Sequence, residues 1–535
     1  MTFDKFQRFS GLKVNYDKTE ILRIGSMKNS VAKIYTTKPM KWSDGVIKTL
    51  GIFLTPNKDK LINLNYHPIV KKMRNIAALW SRRYLTIYGK VTIIKCLLLS
   101  QLIYRLSVLP SPGTKLLSEL TELLTRFLWN NKSSKIALNN LIADYDLGGV
   151  KMTHVPTVDK SLKVAWIKRL NNADPKQLNL IECVLRKPVN ILLHSNLSLT
   201  DTNYLLKNDN IKRSFWADVF HAWADINYSS PSQLNELKNH SIWFNSHIKV
   251  GSNVCYRKSW ADKGILFVKD IMDNNNKFMT FQQLKTKYNM NNSEFLFHCS
   301  ISSCIKSMWN KIPINTVLPE AQYSPLIDRV CGREKVSKYV YSLLINKIAK
   351  TDHTARQKWE QDLHQDISNE CWLDCFRHIY STTIVNKLRY FQYRLLYRTI
   401  VTNKLLYIWQ MSPNNLCYFC NTEEETLIHL FCKCNIVKNI WNRLIVWFFD
   451  KTGIHLHLDD KEKVFGLYST TFLNELLNTL LIITKQFIYA CCCTNKIPQI
   501  THLIFKILQF EKIERNVAVG KGKLSFHNQK WSFVM

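Results

Sequence analysis

The sequence predicts a mainly α-helical protein with a small α+β remnant at its N-terminus. Three observations carry that expectation. Apolar residues recur at helical spacing along much of the chain from about residue 66. Strand-like runs are confined to the first 60 residues. A cysteine- and histidine-rich stretch at 417–434 has the spacing of a metal-clamped loop.

At the N-terminus, Phe3, Phe6 and Phe9 precede Ser10-Gly11-Leu12, a helix end with a glycine turn, and Lys18–Ile24 reads as a strand. A polar hairpin-like stretch separates it from Ile47–Leu54, a second strand interrupted by Gly51, where glycine allows a bend or close backbone approach. So few strands and one helix end make no independent core, so the expectation is that this domain begins upstream of Met1.

From residue 66 the period changes. Ile69, Met73, Ile76 and Trp80 share a helix face that leaves Lys71, Lys72 and Arg74 outside it. Val91, Ile94, Leu98 and Leu102 continue the pattern over Thr86–Leu106, and Pro110–Gly113 ends it. Leu116–Trp129 is a third helix. The loop Asp146–Val150, with Gly148-Gly149, leads into a fourth carrying Leu162, Ala165, Trp166, Ile167 and Leu170. Residues 171–380 alternate Asn-rich loops with short helices. Ile384–Trp409 reads as a long basic and aromatic helical stretch, Ile436–Phe449 and Phe472–Tyr489 as apolar helices, and Lys496–Met535 as a final small unit. The chain thereby divides into 1–60, 61–170, 171–380, 381–450 and 451–535.

Charge speaks to partners. The 535 residues carry 74 Lys or Arg against 40 Asp or Glu, a net +34, and residues 1–150 alone hold 24 against 9. Compositional skew towards Lys, Asn and Ile competes as an explanation, but the regional concentration favours a polyanion-binding surface. Fifteen scattered cysteines, an odd number, do not form a disulfide framework. No basic-then-apolar segment opens the chain. Apolar stretches such as Thr479–Ala490, broken by Lys485 and Gln486, read as too short to span a bilayer. The expected setting is cytoplasm or nucleus, without a membrane.

Two-metal polymerase chemistry needs paired carboxylates held rigidly around the ions. Asp144 and Asp146 flank a loop, and Asp459-Asp460 sits in a polar linker, so they read as surface or capping residues and no catalytic residue is assigned. The sharpest signal is Cys417-x2-Cys420-x8-His429-x4-Cys434, a set of soft and borderline ligands suited to a closed structural zinc site. Cys432, three residues after His429, is a competing ligand. Leu427, Ile428, Leu430 and Phe431 read as packing beneath the metal, with Glu423–Glu425 in the loop. Cys371, Cys375 and His378 lack a nearby fourth ligand and read as one helix face, and Cys491–Cys493 and Trp441 read as packing residues. Tyr390, Tyr393, Tyr397, Arg394 and Arg398 fit either base stacking with phosphate contacts or an amphipathic seam.

In order along the chain, several segments resemble LINE-type non-LTR retrotransposon reverse transcriptases. Phe9–Glu20 resembles the segment after the catalytic Asp-Asp hairpin, with Lys18 at the family's lysine and read here as a solvated strand-end residue. Leu50-Gly51-Ile52 resembles the primer grip, and Trp80–Lys95 the thumb. Phe127-Leu128-Trp129, Gly148-Gly149 and Ala165-Trp166-Ile167 continue the series, and the Cys-Cys-His-Cys knuckle and Lys530-Trp531 close it. The resemblance is strong at 6–170 and 384–448. It implies a palm end at 1–60, a helical thumb at 61–170, a helical connector at 171–380, then the knuckle and a helical tail. It selects Cys434 over Cys432 as the fourth zinc ligand. It implies RNA, and possibly target DNA, as partners, contacted through Lys71, Lys72, Arg82, Arg83, Lys90, Lys95, Arg389, Arg394 and Arg398. The family's activity is RNA-directed DNA polymerase. Its catalytic aspartate hairpin is absent from this sequence, so Mg²⁺ is expected only where an upstream palm complements the chain. The expected function is therefore that of a non-catalytic, nucleic-acid-binding fragment, the alternatives being part of an active polymerase or an interaction scaffold.

Overall fold

The structure, a computed structural model, describes residues 2–25, 27, 41–207, 214–312, 324–349, 353–468 and 471–534. They are mainly helical and fall into two compact units, each assembled from non-contiguous stretches: Met1–Trp80, Cys96–Leu124 and His154–Lys347 in the first, and Ser81–Lys95, Thr125–Thr153 and Ile348–Met535 in the second.

The first unit opens with a helix, Thr2–Ser10, that stops where Gly11 takes φ 69°. Glu20–Ile21 pairs in parallel with Lys41–Trp42, and most of the polar stretch expected to form a hairpin lies outside the described residues. The hairpin is instead found further on. Ile47–Leu54, expected as one interrupted strand, is two antiparallel strands, Ile47–Thr49 and Ile52–Leu54, with Thr49 opposite Ile52. The two-residue connection needs positive φ at both positions. Gly51 takes 78° at no cost, and Leu50 takes 48° with its side chain exposed. Glycine here reverses the chain, where the sequence reading had it bend a strand.

Helix Lys58–Ser81 buries Tyr66, Ile69, Val70 and Met73. The helix Val155–Asn171 packs against Phe215–Asn227. A polar clasp locks the Pro110–Pro112 loop onto this pair: the Ser111 amide donates to Asp218 and its hydroxyl to Asp159, both at 2.7 Å. The buried Lys163 ammonium donates to the carbonyls of Leu106 and Leu109 at the end of helix Ser100–Val108. A core including Trp223, Trp243 and Trp260 fills the remainder.

In the second unit, Tyr88, Tyr145, Tyr380 and Tyr393 pack edge to face. The Gly148-Gly149 loop is pressed close: a Cβ on Gly149 would fall 1.9 Å from the Ala143 carbonyl oxygen, and the Tyr397 hydroxyl donates to Gly148 O at 2.7 Å. Ile384–Trp409 is helical in two pieces. Asn386–Leu396 ends where Arg398 turns left-handed at φ 54°, and a second, short helix runs Asn403–Ile408. The β-branched run Thr399–Thr402 between them favours extended backbone.

The helix Phe472–Cys493 also corrects an expectation. At 22 residues it has the length and composition to cross a bilayer, as does the continuous helical run Ile87–Val108, because Lys485 and Gln486 do not interrupt the helix. Here Leu476–Ile488 are buried within the unit. Lys485 lies among them with its ammonium donating to Val464 O at 2.6 Å. Burial pushes this lysine down from 10.5 to about 7. Between those values the unfolded chain binds more protons than the folded one, so this group makes stability rise with pH from about 7 to about 10.5 and exacts its full cost below about 7. The expected outcome is that Lys485→Met is more stable than wild type at pH 7 by a few kcal/mol, at ~1.4 kcal/mol per pKa unit, and that the gain shrinks towards pH 10. Paired urea titrations at the two pH values check this, and an unchanged or lower midpoint at pH 7 overturns it.

Candidate metal centre

The knuckle is built in the second unit from a tight turn and a helix start. Cys417 N donates to Glu423 O at 2.7 Å and Asn421 N to Cys417 O at 2.8 Å, with Asn421 at φ 54°. This turn brings Cys417 and Cys420 to the same side. Cys434 lies five positions after His429, a spacing that an α-helix would place on different faces. The chain solves this with a π-turn, His429–Lys433, closed by Cys434 N donating to His429 O at 2.9 Å. Cys434 then precedes the first residue of helix Asn435–Thr452.

The four ligand atoms lie within 4.8 Å of one another. Cys417 and Cys434 Sγ are 3.9 Å apart, and Cys420 Sγ is 3.4 Å from His429 Nε2. A tetrahedral site with metal–sulfur bonds of ~2.3 Å sets its sulfurs ~3.8 Å apart, so the residues fit zinc. Electrostatics agree. The contact between Cys417 and Cys434 pushes the first thiol up and the second down, and amides of Val437 and Ile436 at the helix start add to the lowering at Cys434. Ionising both at this distance would need a cation between them. Burial alone would raise Cys420, yet hydrogen bonds from Thr422 and the Glu423 amide bring it below its usual range.

Three acidic residues in the loop hold the frame. Glu423 accepts from His429 Nδ1 at 3.0 Å, which turns Nε2 towards the thiols and fixes the tautomer a metal requires. Glu424 pairs with Lys404 at 2.7 Å and accepts from Asn415. Glu425, only 2% exposed, accepts from the amides of Asn403 at 2.7 Å and Tyr418 at 3.1 Å, and Cys492 Sγ points at it. These roles were not assigned from sequence, although three glutamates just ahead of a ligand histidine are a readable signal. Leu427, Ile428, Leu430 and Phe431 are buried, and the buried Trp441 donates to Phe431 O at 2.8 Å. Cys432 is outside the cluster: it faces Asp460 O at 3.8 Å, and burial pushes its thiol up to about 12. Cys371 and Cys375 lie on one helix face and contact the Tyr468 hydroxyl. Cys493 is exposed, so the packing role read for Cys491–Cys493 does not extend to it.

The nine basic residues expected at a nucleic-acid surface fare differently. Lys71 and Lys72 are exposed in the first unit. Arg82, Arg83 and Lys95 are exposed in the second. Lys90 is a correction: it is 4% exposed, and its ammonium donates to the carbonyls of Phe127 and Leu128 and to the Asn130 side chain. It closes the end of helix Thr114–Leu128 and offers nothing to a phosphate. Arg389 is half-buried and donates to Thr383 O and Tyr380 O. Arg394 donates to Thr399 O, and Arg398 pairs with Asp362 at 2.7 Å over the Trp359 ring. Tyr393 and Tyr397 are buried, so the seam reading applies to them. The acidic pairs are capping residues: Asp144 caps the turn at Tyr145 and pairs with Lys151, and Asp459 forms a reciprocal capping box with Glu462.

Residues 336–441 match the family model described as zinc-binding in reverse transcriptase, a stretch that contains all four ligand positions. The element at 417–434 is therefore a zinc-binding motif of the kind found in reverse-transcriptase-like proteins.

Proposed function

We propose that this chain binds nucleic acid, RNA first and target DNA second, through basic surfaces on its helices, and that it is kin to the LINE-type reverse transcriptases. In this reading 1–60 corresponds to the palm end, 61–170 to the thumb and 171–380 to the connector. The carrying observation is the Cys₃His cluster, with its histidine oriented by Glu423, inside the stretch that matches the family's zinc-binding module. All four coordination positions come from protein side chains, which suits a structural clamp and leaves no open position for hydrolysis. Zinc would fix the turn and the helix start relative to each other, and the chain's own amides and Glu423 hold the ligands in place. Catalysis is not proposed for these residues, since Asp144 and Asp459 serve as caps.

Binding should fall steeply with salt, with a log–log slope of roughly −0.7 to −0.9 per phosphate neutralised. Filter binding of labelled RNA across a salt series measures the slope. Replacing Lys71, Lys72, Arg82, Arg83 and Lys95 by Gln should reduce both affinity and slope. Salt-independent binding, or no loss in that variant, overturns the reading. Primer extension by the homogeneous chain with Mg²⁺ or Mn²⁺ would remove its non-catalytic part.

A further inference from the structure

A polar cavity of about 350 Å³ lies within the first unit. The end of helix Phe215–Asn227, the short helices Leu234–Lys238 and Leu326–Cys331, and Phe267 enclose it. His240 lines this cavity and is only 7% exposed. Its neighbours set its tautomer. Asn196 Oδ1 accepts from the Ser229 amide at 3.0 Å and its Nδ2 donates to Ser229 O at 2.9 Å, so the group that meets His240 Nδ1 at 3.2 Å is an NH₂. Nδ1 therefore accepts, and the ring proton sits on Nε2. Burial pushes the imidazole down to about 4, so the ring is neutral near pH 7. Its Nε2–H has no acceptor among the described residues and opens on the cavity. A donor left unmade at so enclosed a position costs free energy that a ligand would recover.

Two further unpaired atoms belong to half-buried residues of the same wall, and both are acceptors. Asn227 spends Nδ2 on Ser195 O at 2.6 Å, which leaves Oδ1 without a partner among the described residues. Glu236 accepts from the Ser232 amide and hydroxyl through Oε2 alone, which leaves Oε1 likewise. The other inner polar side chains are already bonded: Ser195 donates to Leu192 O, Ser241 to Trp243 O, and Asn239 donates to Asn235 O and accepts from Lys269. His194, Ser229, Lys269, Asp328 and Arg329 are exposed and form the rim. The half-buried Phe267 ring adds a flat apolar wall, with His194 edge-on to it at 5.5 Å.

The inner wall thus presents one donor and two acceptors, and a fitting ligand brings one acceptor and two donors. A free anion fits poorly, since it would meet the Glu236 carboxylate and a neutral imidazole. Unpaired nucleobases are read through hydrogen bonds to their edges, with stacking on aromatic rings. On the Watson–Crick edge guanine has one acceptor, O6, and two donors, N1–H and N2–H. Adenine and cytosine offer one donor there, and uracil one donor between two acceptors.

We propose that this cavity holds a guanine base, with O6 at His240 Nε2 and the two donors shared between Glu236 Oε1 and Asn227 Oδ1. The base comes from unpaired RNA or from a free guanine nucleotide, and only the first source rests on the nucleic-acid reading above. On the rim, Lys269 and Arg329 have no carboxylate partner among the described residues and can meet the phosphate of either.

The full, zinc-loaded chain is titrated calorimetrically with GMP, AMP, UMP and CMP, and with oligo(U) of roughly 10 nucleotides with and without one central guanine. Guanine should be favoured roughly 10- to 100-fold, because each competitor leaves a buried polar group unpaired. Glu236→Gln can still accept from Ser232 but turns a donor towards the base, so it should weaken the guanine ligand by a similar factor. Asp328→Asn, on the exposed rim, should change it less than about twofold. Tighter binding of the guanine-containing strand assigns RNA as the source, and a preference confined to GMP assigns a free nucleotide. Both support the pocket. No guanine preference in either arm, an unchanged affinity in Glu236→Gln, or an equal loss in Asp328→Asn overturns it. If GMP is preferred while RNA binding is absent or indifferent to salt, the nucleic-acid reading fails and the pocket stands. If RNA binds with the expected salt dependence and guanine is preferred in neither arm, the pocket alone fails.

Discussion

Purified reduced and supplied with zinc, the chain should carry one metal ion per molecule. Cys417→Ser, Cys420→Ser, His429→Ala or Cys434→Ser should each reduce that content sharply, and Cys432→Ser should leave it nearly unchanged. The element from Cys417 to Cys434 is too short to bury a core of its own, so zinc binding and local folding should be one event. Structural zinc sites of this type are worth ~10–16 kcal/mol of apparent binding energy near neutral pH. Chelation should therefore release the Cys417–Asn421 turn and the start of helix Asn435–Thr452 together, which hydrogen exchange would detect as simultaneous loss of protection. Glu423→Gln gives a finer test: every ligand remains but the carboxylate that orients His429 is lost, so affinity should fall roughly 10- to 100-fold. Loss of zinc in Cys432→Ser but not in Cys434→Ser would reassign the fourth ligand. Wild-type protein that holds no zinc would remove the site.

The metal cluster was legible because ligand chemistry is carried by residue type and spacing. The choice between Cys432 and Cys434 was not legible in spacing and rested on the family resemblance. In an α-helix Cys432, three positions on, would share a face with His429 and Cys434, five on, would not, and the π-turn that brings Cys434 to the cluster depends on backbone bonding that periodicity cannot report. The mainly helical class was likewise legible in Ile69, Met73, Val91, Ile94, Leu98 and Leu102: four of these are fully buried, Val91 is 3% exposed and Ile69 8%. The hairpin at Leu50-Gly51 was missed because leucine at positive φ is not a turn signal, and a single glycine within an apolar run reads equally well as a bulge. The basic residues were the least legible. Lysine patterns as polar whether its ammonium meets water, as in Lys71, or closes a helix end, as in Lys90 and Lys163. Arg398 reads as a free cation until Asp362, 36 residues away, is brought beside it.

Lys530-Trp531, which the resemblance marks only as a tail motif, should prove to be a structural clasp within the second unit. The Glu514 carboxylate accepts from Thr383 Oγ1 at 3.1 Å through one oxygen, and from Lys530 Nζ at 3.0 Å and Trp531 Nε1 at 3.2 Å through the other. Lys530 also donates to Thr382 O at 2.9 Å, and both charged residues are at most 6% exposed. Glu514→Ala would strand a buried ammonium, an indole N–H and a hydroxyl, and removing one member of a buried pair costs ~3–5 kcal/mol. Relief works the other way, because burial raises Glu475 and the nearby Glu514 charge raises it further, so the lower end of that range is expected. Lys530→Met should also destabilise, by leaving Glu514 buried without its cation. Glu514→Ala combined with Lys530→Met removes both charges and should recover much of the loss, so the two changes should be strongly non-additive in a double-mutant cycle. Urea denaturation of the four proteins measures the coupling. A Glu514→Ala cost under about 1 kcal/mol, or strict additivity, would mean that water reaches these groups and the clasp contributes no more than a surface ion pair.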